Sequence, residues 1–318
     1  MKSPTRVIAL EEHFWSPATR DLYGPEMVRI LDRITNGRLD DAGERRIRRM
    51  DEAGIDVQVL SQVSPAAQGF DRETAIRFAR DDNDLLGELV KQYPTRFFGF
   101  ATLPTQDPAA AADELERTVK TFGFKGALIN GHTQDHYLDE KQFWAIFECA
   151  QSLDVPIYIH PSALPQPAME AYFKDYPELA GPAWGWGIDT GTHLLRVIAS
   201  GVLDAYPNVR VLVGHMGEMI PFHFKRIQRG MRVMQNARMK RTLPEYFRDN
   251  IFITTSGVFE QASLDCAIST IGIDNVLFSV DDPFGDNHEA VSFLKSASLT
   301  DADREKLAHA NAERILKI

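Results

Sequence analysis

The sequence predicts an α/β fold, a (β/α)8 barrel formed by one domain over residues 1–318, and three observations predict it. Short β-branched apolar runs alternate with longer amphipathic stretches about eight times, which is the arithmetic of βαβ units in a parallel sheet. The runs are apolar nearly throughout rather than at every second position, as strands covered on both faces must be. No Pro/Gly/Ser-rich linker, charge block or 20–50-residue repeat divides the chain, so eight units imply a closed TIM-type barrel, with a doubly wound open sheet as the alternative.

The first run, 6–10, leads directly into Glu11-Glu12-His13. Runs at 56–61 and 96–103 follow, separated by a helical pattern over 72–93, and a second helical pattern at 109–122 precedes the run at 126–130. A helix over 140–153, with Asp139 as its N-cap, feeds the run at 155–160. The irregular stretch 161–187 reads as a long loop over the C-terminal mouth. Helical patterns at 190–206, 216–234 and 260–271 then alternate with runs at 209–214, 251–255 and 275–279.

With 44% hydrophobic and 25% charged residues among 318, the chain can bury a large core, which excludes disordered, collagen-like and low-complexity classes. Thirty-five basic residues face 45 acidic ones, a net charge of −10 and a pI near 5.4, which argues against nucleic acid or an anionic membrane as partner. Cys149 and Cys266 stand alone in apolar helical patterns, so neither a disulfide framework nor a zinc knuckle is expected. The start, Met1-Lys2-Ser3-Pro4-Thr5-Arg6, has no apolar leader core, and no apolar run approaches the ~18 residues of a membrane span. A cytoplasmic location is expected.

In a barrel the working residues project from the C-terminal ends of strands. Four such exits carry metal-ligand chemistry: Glu11 and His13 after the first run, His160 ending the fifth, His215 after the sixth and Asp281 after the eighth. Glu11 and His13 are two apart, so on an extended segment they point to one side and Glu12 to the other. Each of these residues alone is more often a turn acid or a hydrogen-bonded core histidine. Imidazoles and carboxylates at all four exits together suit one borderline divalent ion such as zinc or manganese, with room left for water or a chelating substrate. The remaining histidines, His132, His136, His193, His223, His288 and His309, fall in helices or loops where structural or solvated roles are expected, His132 and His136 near the mouth. Trp184-Gly185-Trp186-Gly187 offers aromatic walls to a pocket or simple packing. No nucleophile elbow, phosphate-binding loop, dinucleotide fingerprint or His-Glu-x-x-His occurs, so no organic cofactor is implied.

The segments Ala9-Leu10-Glu11-Glu12-His13-Phe14, Phe98-Gly99-Phe100-Ala101-Thr102-Leu103-Pro104, Gly123-Phe124-Lys125-Gly126-Ala127-Leu128-Ile129-Asn130, Asp154-Val155-Pro156-Ile157-Tyr158-Ile159-His160-Pro161, Gly214-His215-Met216-Gly217-Glu218 and Ile253-Thr254-Thr255-Ser256-Gly257 run almost end to end. Together they resemble the ACMSD-like, amidohydrolase 2 branch of the amidohydrolase superfamily, and within it the non-oxidative decarboxylases of γ-resorcylate, 2,3-dihydroxybenzoate and 5-carboxyvanillate. The resemblance implies a TIM barrel with one divalent metal ion per chain, a homo-oligomer (dimer or tetramer), and metal-dependent decarboxylation of an ortho-hydroxy aromatic acid. In that reaction a proton is delivered to the ring carbon and CO2 is released. Carried over by position, Glu11, His13, His160 and Asp281 would hold the metal, His215 and Glu218 would form a proton-handling dyad, and Arg226, eleven residues after His215, would reach the substrate. The i, i+3 spacing of His215 and Glu218 would place both on one face of the helix expected after the sixth strand.

Two positions depart from the family pattern. Asp282 stands where an aromatic residue usually follows the ligand Asp, and Ser162 replaces the Arg of a His-Pro-Arg segment. The second form resembles the 5-carboxyvanillate type, whereas Glu11-Glu12-His13-Phe14 resembles the resorcylate type. For the chemistry, a chelated carboxylate and ortho oxygen would fix the ring while Asp281 donates the proton. The alternatives are a mononuclear metal-dependent hydrolase of a lactone or amide on the same barrel, and a non-catalytic barrel that binds small acids.

Overall fold

The computed structural model describes residues 4–235 and 237–318; Met1, Lys2 and Ser3, which begin the segment read for a leader, and Asn236 lie outside the described residues. Eight parallel strands, β1 (Ile8–Phe14), β2 (Val57–Gln62), β3 (Phe97–Gly99), β4 (Ala127–Asn130), β5 (Ile157–His160), β6 (Val211–Val213), β7 (Ile251–Thr254) and β8 (Val276–Leu277), follow one another in sequence order. Regular pairing groups them as β1-β2-β3 and β4-β5-β6-β7-β8. The two groups join where Ala101 pairs with Ala127, and on the other side where His13 N donates to Asp282 O at 2.6 Å. The sheet therefore closes into a single-domain barrel, the fold class the sequence pattern predicts.

Side-chain alternation sorts the strands into two cores. Ile8, Leu10, Val57, Val59, Tyr158, Leu212, Phe252 and Leu277 fill the barrel interior, and Ala312, Ile315 and Leu316 of the last helix, Asn311–Leu316, pack beneath them. The intervening residues, Val7, Ala9, Ile157, Ile159, Val211, Val213, Ile251 and Ile253, face the surrounding helices. In β1 this alternation is interrupted. Ala9 pairs with Gln58 but Glu12, not Glu11, pairs with Leu60, so one extra residue shifts the phase between them. Without that bulge Glu11 and His13 would continue the outward phase of Val7 and Ala9; with it they turn inward at the mouth, and Glu12 takes the outward phase. Re-aiming a side chain at a barrel rim is a recurrent use of β-bulges.

The main helices run close to their expected ranges, among them Arg72–Gln92, Pro108–Phe122, Trp144–Leu153, Gly185–Ser200 and Gln261–Ile271. Four expectations need correction. Between β1 and β2 the chain forms Pro17–Leu22, Pro25–Thr35 and Glu44–Ala53, helices that the pattern did not reveal because the buried positions of the last are Arg46, Met50 and Ala53 within a run of charges. The stretch 161–187 is not an open loop: it contains the short turns Gln166–Ala168, Met169–Phe173 and Pro177–Leu179, packed on a small core of Leu164, Phe173 and Ala180 with Trp186. Asp139 caps no helix; its carboxylate pairs with Arg196 at 2.9 Å, and a 3-10 turn, Lys141–Phe143, enters the next helix instead. The helix expected from Met216 begins only at Ile220 and ends at Met231.

Candidate metal centre and active site

Glu11 and His13 from β1, His160 from the end of β5 and Asp281 beyond β8 meet at the mouth, and one ligand atom from each lies within 4.8 Å of all the others. Among the described residues this is the one cluster of three or more such side chains close enough to share an ion. His13 Nε2 is 3.3 Å from Asp281 Oδ1, and His160 Nε2 is 3.3 Å from Glu11 Oε1. Donors about 2.1 Å from a common ion stand roughly 3–3.5 Å apart, so these separations fit a shared cation.

The hydrogen bonds around the cluster leave the right atoms bare. His160 Nδ1 donates to Pro161 O at 2.7 Å, which fixes the tautomer and leaves a lone pair on Nε2. His13 Nδ1 lies 3.2 Å from Ser61 Oγ, and its Nε2 is buried with no hydrogen-bond partner. Glu11 is fully buried; its Oε2 accepts from Tyr158 and Ser256 hydroxyls, while Oε1 is left without a partner. A buried carboxylate oxygen and a buried imidazole nitrogen that both lack partners cost several kcal/mol unless something charged completes them, so the donor set fits a divalent metal. Burial and the neighbouring His13 hold His160 well below the ordinary histidine range, that is, neutral as a ligand must be. At Gly214 a Cβ would collide with the Glu11 carboxylate, which gives the backbone approach there a reason to be glycine.

His215 and Glu218 do come together, His215 Nδ1 lying 2.7 Å from Glu218 Oε1, but not on a helix face as the spacing predicts. His215, Met216, Gly217, Glu218 and Met219 all have positive φ, so the pair closes across a left-handed turn that precedes the helix Ile220–Met231. His215 Nε2 then faces the cluster, 3.7 Å from Asp281 Oδ2 and 3.8 Å from Glu11 Oε1. Burial works against charge on His215, but Glu218, Glu11 and Asp281 outweigh it and raise its pKa well above the usual value. Burial likewise works against ionisation of Asp281, yet the imidazoles of His13 and His215 beside it hold its carboxyl well below the usual carboxylate range. The carboxylates around His215 thus favour its protonated form.

Arg226 is exposed and lines a cleft of about 490 Å³ together with Glu218, Trp184, Met219, Ile220 and His223. Trp184 thus contributes an aromatic wall, whereas Trp186 packs into the small core under residues 164–180. Phe284, 41% exposed, places its ring 6.1 Å from that of His13, a further apolar surface beside the cluster. Ser162 binds Ser64 Oγ at 2.9 Å. Asp282 points away from the mouth and is buried against Arg46 at 3.3 Å. Of the other histidines, His193 is buried and accepts from Leu138 N, His136 and His309 pair with surface carboxylates, and His132 accepts from Asp135 N.

Sequence reasoning missed Tyr158, Ser256 and Glu12. Tyr158 carried a signal, since it lies two residues before His160 and strand alternation puts both on the interior face. Glu12 faces away from the cluster, as the spacing predicts, and accepts from Val280 N and Asp282 N there.

The Amidohydrolase family model matches residues 11–318. A γ-resorcylate decarboxylase of Polaromonas sp. is 41% identical over 324 residues, covering 98% of this chain and 98% of that protein. A solved dihydroxybenzoic acid decarboxylase from Polaromonas sp., with bound manganese and the inhibitor 2-nitroresorcinol, superposes with a TM-score of 0.90 at 40% identity, covering 98% of this chain and 97% of that one. The 5-carboxyvanillate decarboxylase of Sphingomonas paucimobilis is similar with a TM-score of 0.90 at 35% identity, covering 98% and 99%.

Proposed function

The chain belongs to the amidohydrolase family, and from that membership we propose that γ-resorcylate (2,6-dihydroxybenzoate) is the acid it decarboxylates, on one manganese ion held by Glu11, His13, His160 and Asp281. The chain is a carboxy-lyase that decarboxylates hydroxybenzoates with the help of a divalent metal. The observation that carries the finer reading is the convergence of those four side chains at the barrel mouth, in a chain that matches decarboxylases of this acid along its whole length. Two carboxylates and no thiolate among the donors favour manganese over a softer preference, and relatives solved with manganese support the same choice.

When bound, the cation supplies the positive charge that orients the substrate carboxylate and its ortho oxygen. The protein's own groups manage the proton. Glu218 holds the His215 ring through Nδ1, and His215 in turn faces Asp281. In this reading a proton passes from His215 through Asp281 to the ring carbon that bears the carboxylate. The C–C bond then breaks, its electron pair restores the aromatic ring, and CO2 departs. Arg226, on the cleft wall beside Glu218, binds the substrate's far side. The exposed aromatic side chains of Phe222 and Trp184 support assembly as a homo-oligomer. No helix among the described residues is long and apolar enough to cross a membrane, and free Cys149 and Cys266 accord with a reducing, cytoplasmic setting.

The test is a panel of acids with manganese-loaded protein, followed by loss of ultraviolet absorbance and release of CO2. 2,6-Dihydroxybenzoate should turn over fastest and 4-hydroxybenzoate not at all, and Arg226→Ala should raise KM about tenfold or more, the scale of a lost charge-assisted contact. Equal turnover of ortho and para isomers would sink the chelation reading, and hydrolysis of aryl lactones without CO2 release would replace it with the hydrolase.

A further inference from the structure

Asp281 has φ +72°, the left-handed region that residues with a Cβ seldom occupy, and the surrounding structure holds it there. The holding group is on β1. Glu12, fully buried, accepts from Val280 N at 2.9 Å and from Asp282 N at 3.0 Å, the two amides that bracket Asp281. Ser279 Oγ, which accepts from Glu11 N at 2.7 Å, donates its own proton to Glu12 at 3.1 Å, and Gln58 Nε2 approaches at 3.4 Å. Every one of these contacts donates to Glu12. The neighbouring residue repeats the grip through its main chain, His13 N donating to Asp282 O at 2.6 Å. Behind them the buried guanidinium of Arg46 donates to His13 O and to Gln58 Oε1 and pairs with Asp282 at 3.3 Å.

We propose that Glu12, backed by Arg46, is a positioning residue that fixes the Asp281 carboxylate against His13 and His215 by clamping the main chain on both sides of it. The bulged strand thus divides its labour by alternation: Glu11 and His13 face the ion, and Glu12, between them, fastens the strand-8 loop that supplies the opposite ligand. Each donor around Glu12 needs an acceptor, so an amide in its place must turn an NH2 toward one of the two backbone N–H groups or toward Ser279, and the turn at residue 281 must shift. A shift there moves Asp281 relative to both imidazoles at once.

The inference rests on Asp281 being a metal ligand, and the experiment separates the two. Glu12→Gln, Ser279→Ala and Asp281→Ala are compared with the parent by Mn2+ titration followed by electron paramagnetic resonance, by thermal melting, and by kinetics at saturating Mn2+. Glu12→Gln should weaken Mn2+ binding by about 10–100-fold, the range for groups that orient ligands, alter the bound-Mn2+ spectrum, and lower kcat at saturating metal while KM for the acid stays within about threefold. A purely structural role would lower the melting temperature and leave the Mn2+ affinity of the folded protein unchanged. That result, or Mn2+ affinity and spectrum like the parent's in Glu12→Gln, overturns the proposal. If Glu12→Gln does not fold, Ser279→Ala decides, because it removes one donor to Glu12: weaker Mn2+ binding supports the clamp and parental binding overturns it. If Asp281→Ala binds Mn2+ as tightly as the parent, the ligand reading itself has failed; if it loses Mn2+ while the other two keep it, only the clamp has.

Discussion

His215 Nδ1 lies 2.7 Å from Glu218 Oε1 although the two residues share no helix, because five consecutive residues from His215 to Met219 take positive φ and fold the chain back on itself. Gly217 sits at the centre of that turn with φ +79°, and a Cβ there would press on Ile253 at 3.0 Å and Pro221 at 3.2 Å. Glu218→Gln should keep the turn but remove the charge that stabilises protonated His215, so kcat should fall by about 10²-fold or more with metal content unchanged. Gly217→Ala should disturb the pairing through the backbone and lower kcat without touching either side chain. Parental kcat in Glu218→Gln would remove the dyad from the mechanism.

Metal content should be one divalent ion per chain, since one cluster of four side chains able to share an ion is present among the described residues. Chelation should abolish turnover and Mn2+ should restore it. His160→Ala and Glu11→Ala should each lose the ion, because each deletes a donor whose partner atoms are already committed: His160 Nδ1 to Pro161 O and Glu11 Oε2 to Tyr158 and Ser256. Elemental analysis giving two ions per chain would instead indicate binuclear hydrolase chemistry.

The barrel was legible because eight apolar runs and their crossover helices each carry a local, periodic signal. The four side chains that converge at the mouth were legible because strand exits are where polar side chains need explaining. What escaped depended on contacts distant in sequence. The β1 bulge at Ala9/Glu12 leaves no mark in composition, yet it decides which of Glu11 and Glu12 faces the ion. Arg46 stands in a run of charges in the sequence, and only the fold shows that it is buried beside Asp282, 236 residues away in sequence. The helix face assigned to His215 and Glu218 failed because the chain's left-handed turn there is held by packing around Gly214 and Gly217, which no 3.6-residue periodicity encodes.

Asp82 sets a pH dependence of stability away from the metal. It is buried, accepts from Gln62 and Thr102, and burial, its first cause, pushes its pKa up to about 7. The folded pKa lies above the unfolded value of 3.8, so the folded state holds the proton more tightly and its advantage is complete below pH 4. That advantage is lost progressively as pH rises to about 7, by on the order of 4 kcal/mol. Asp82→Asn retains both hydrogen bonds by presenting its oxygen to Gln62 and its amide to Thr102. Denaturant titrations from pH 5 to 8 should show the parent losing stability with rising pH and the variant losing markedly less; parallel curves would place the Asp82 pKa near its ordinary value.

The last prediction separates the two carboxylates of the cluster by role. Glu11 has one oxygen fixed by two hydroxyls and the other without a partner, so the expected effect of removing it is loss of metal. Asp281 faces His13 through one oxygen and His215 through the other, which places it between the two imidazoles. Asp281→Asn keeps the size and one oxygen donor but cannot pass a proton, so metal should be largely retained while turnover falls by at least ~10²-fold, the scale of general acid catalysis. In deuterium oxide the parent should place one deuterium on the ring carbon that lost its carboxylate, because His215 and Asp281 equilibrate with solvent. A metal-replete Asp281→Asn protein that decarboxylates at near the parental rate would make Asp281 a ligand only. His215 would then deliver the proton itself, Glu218→Gln would become the more damaging substitution, and the solvent deuterium would still appear at the same carbon.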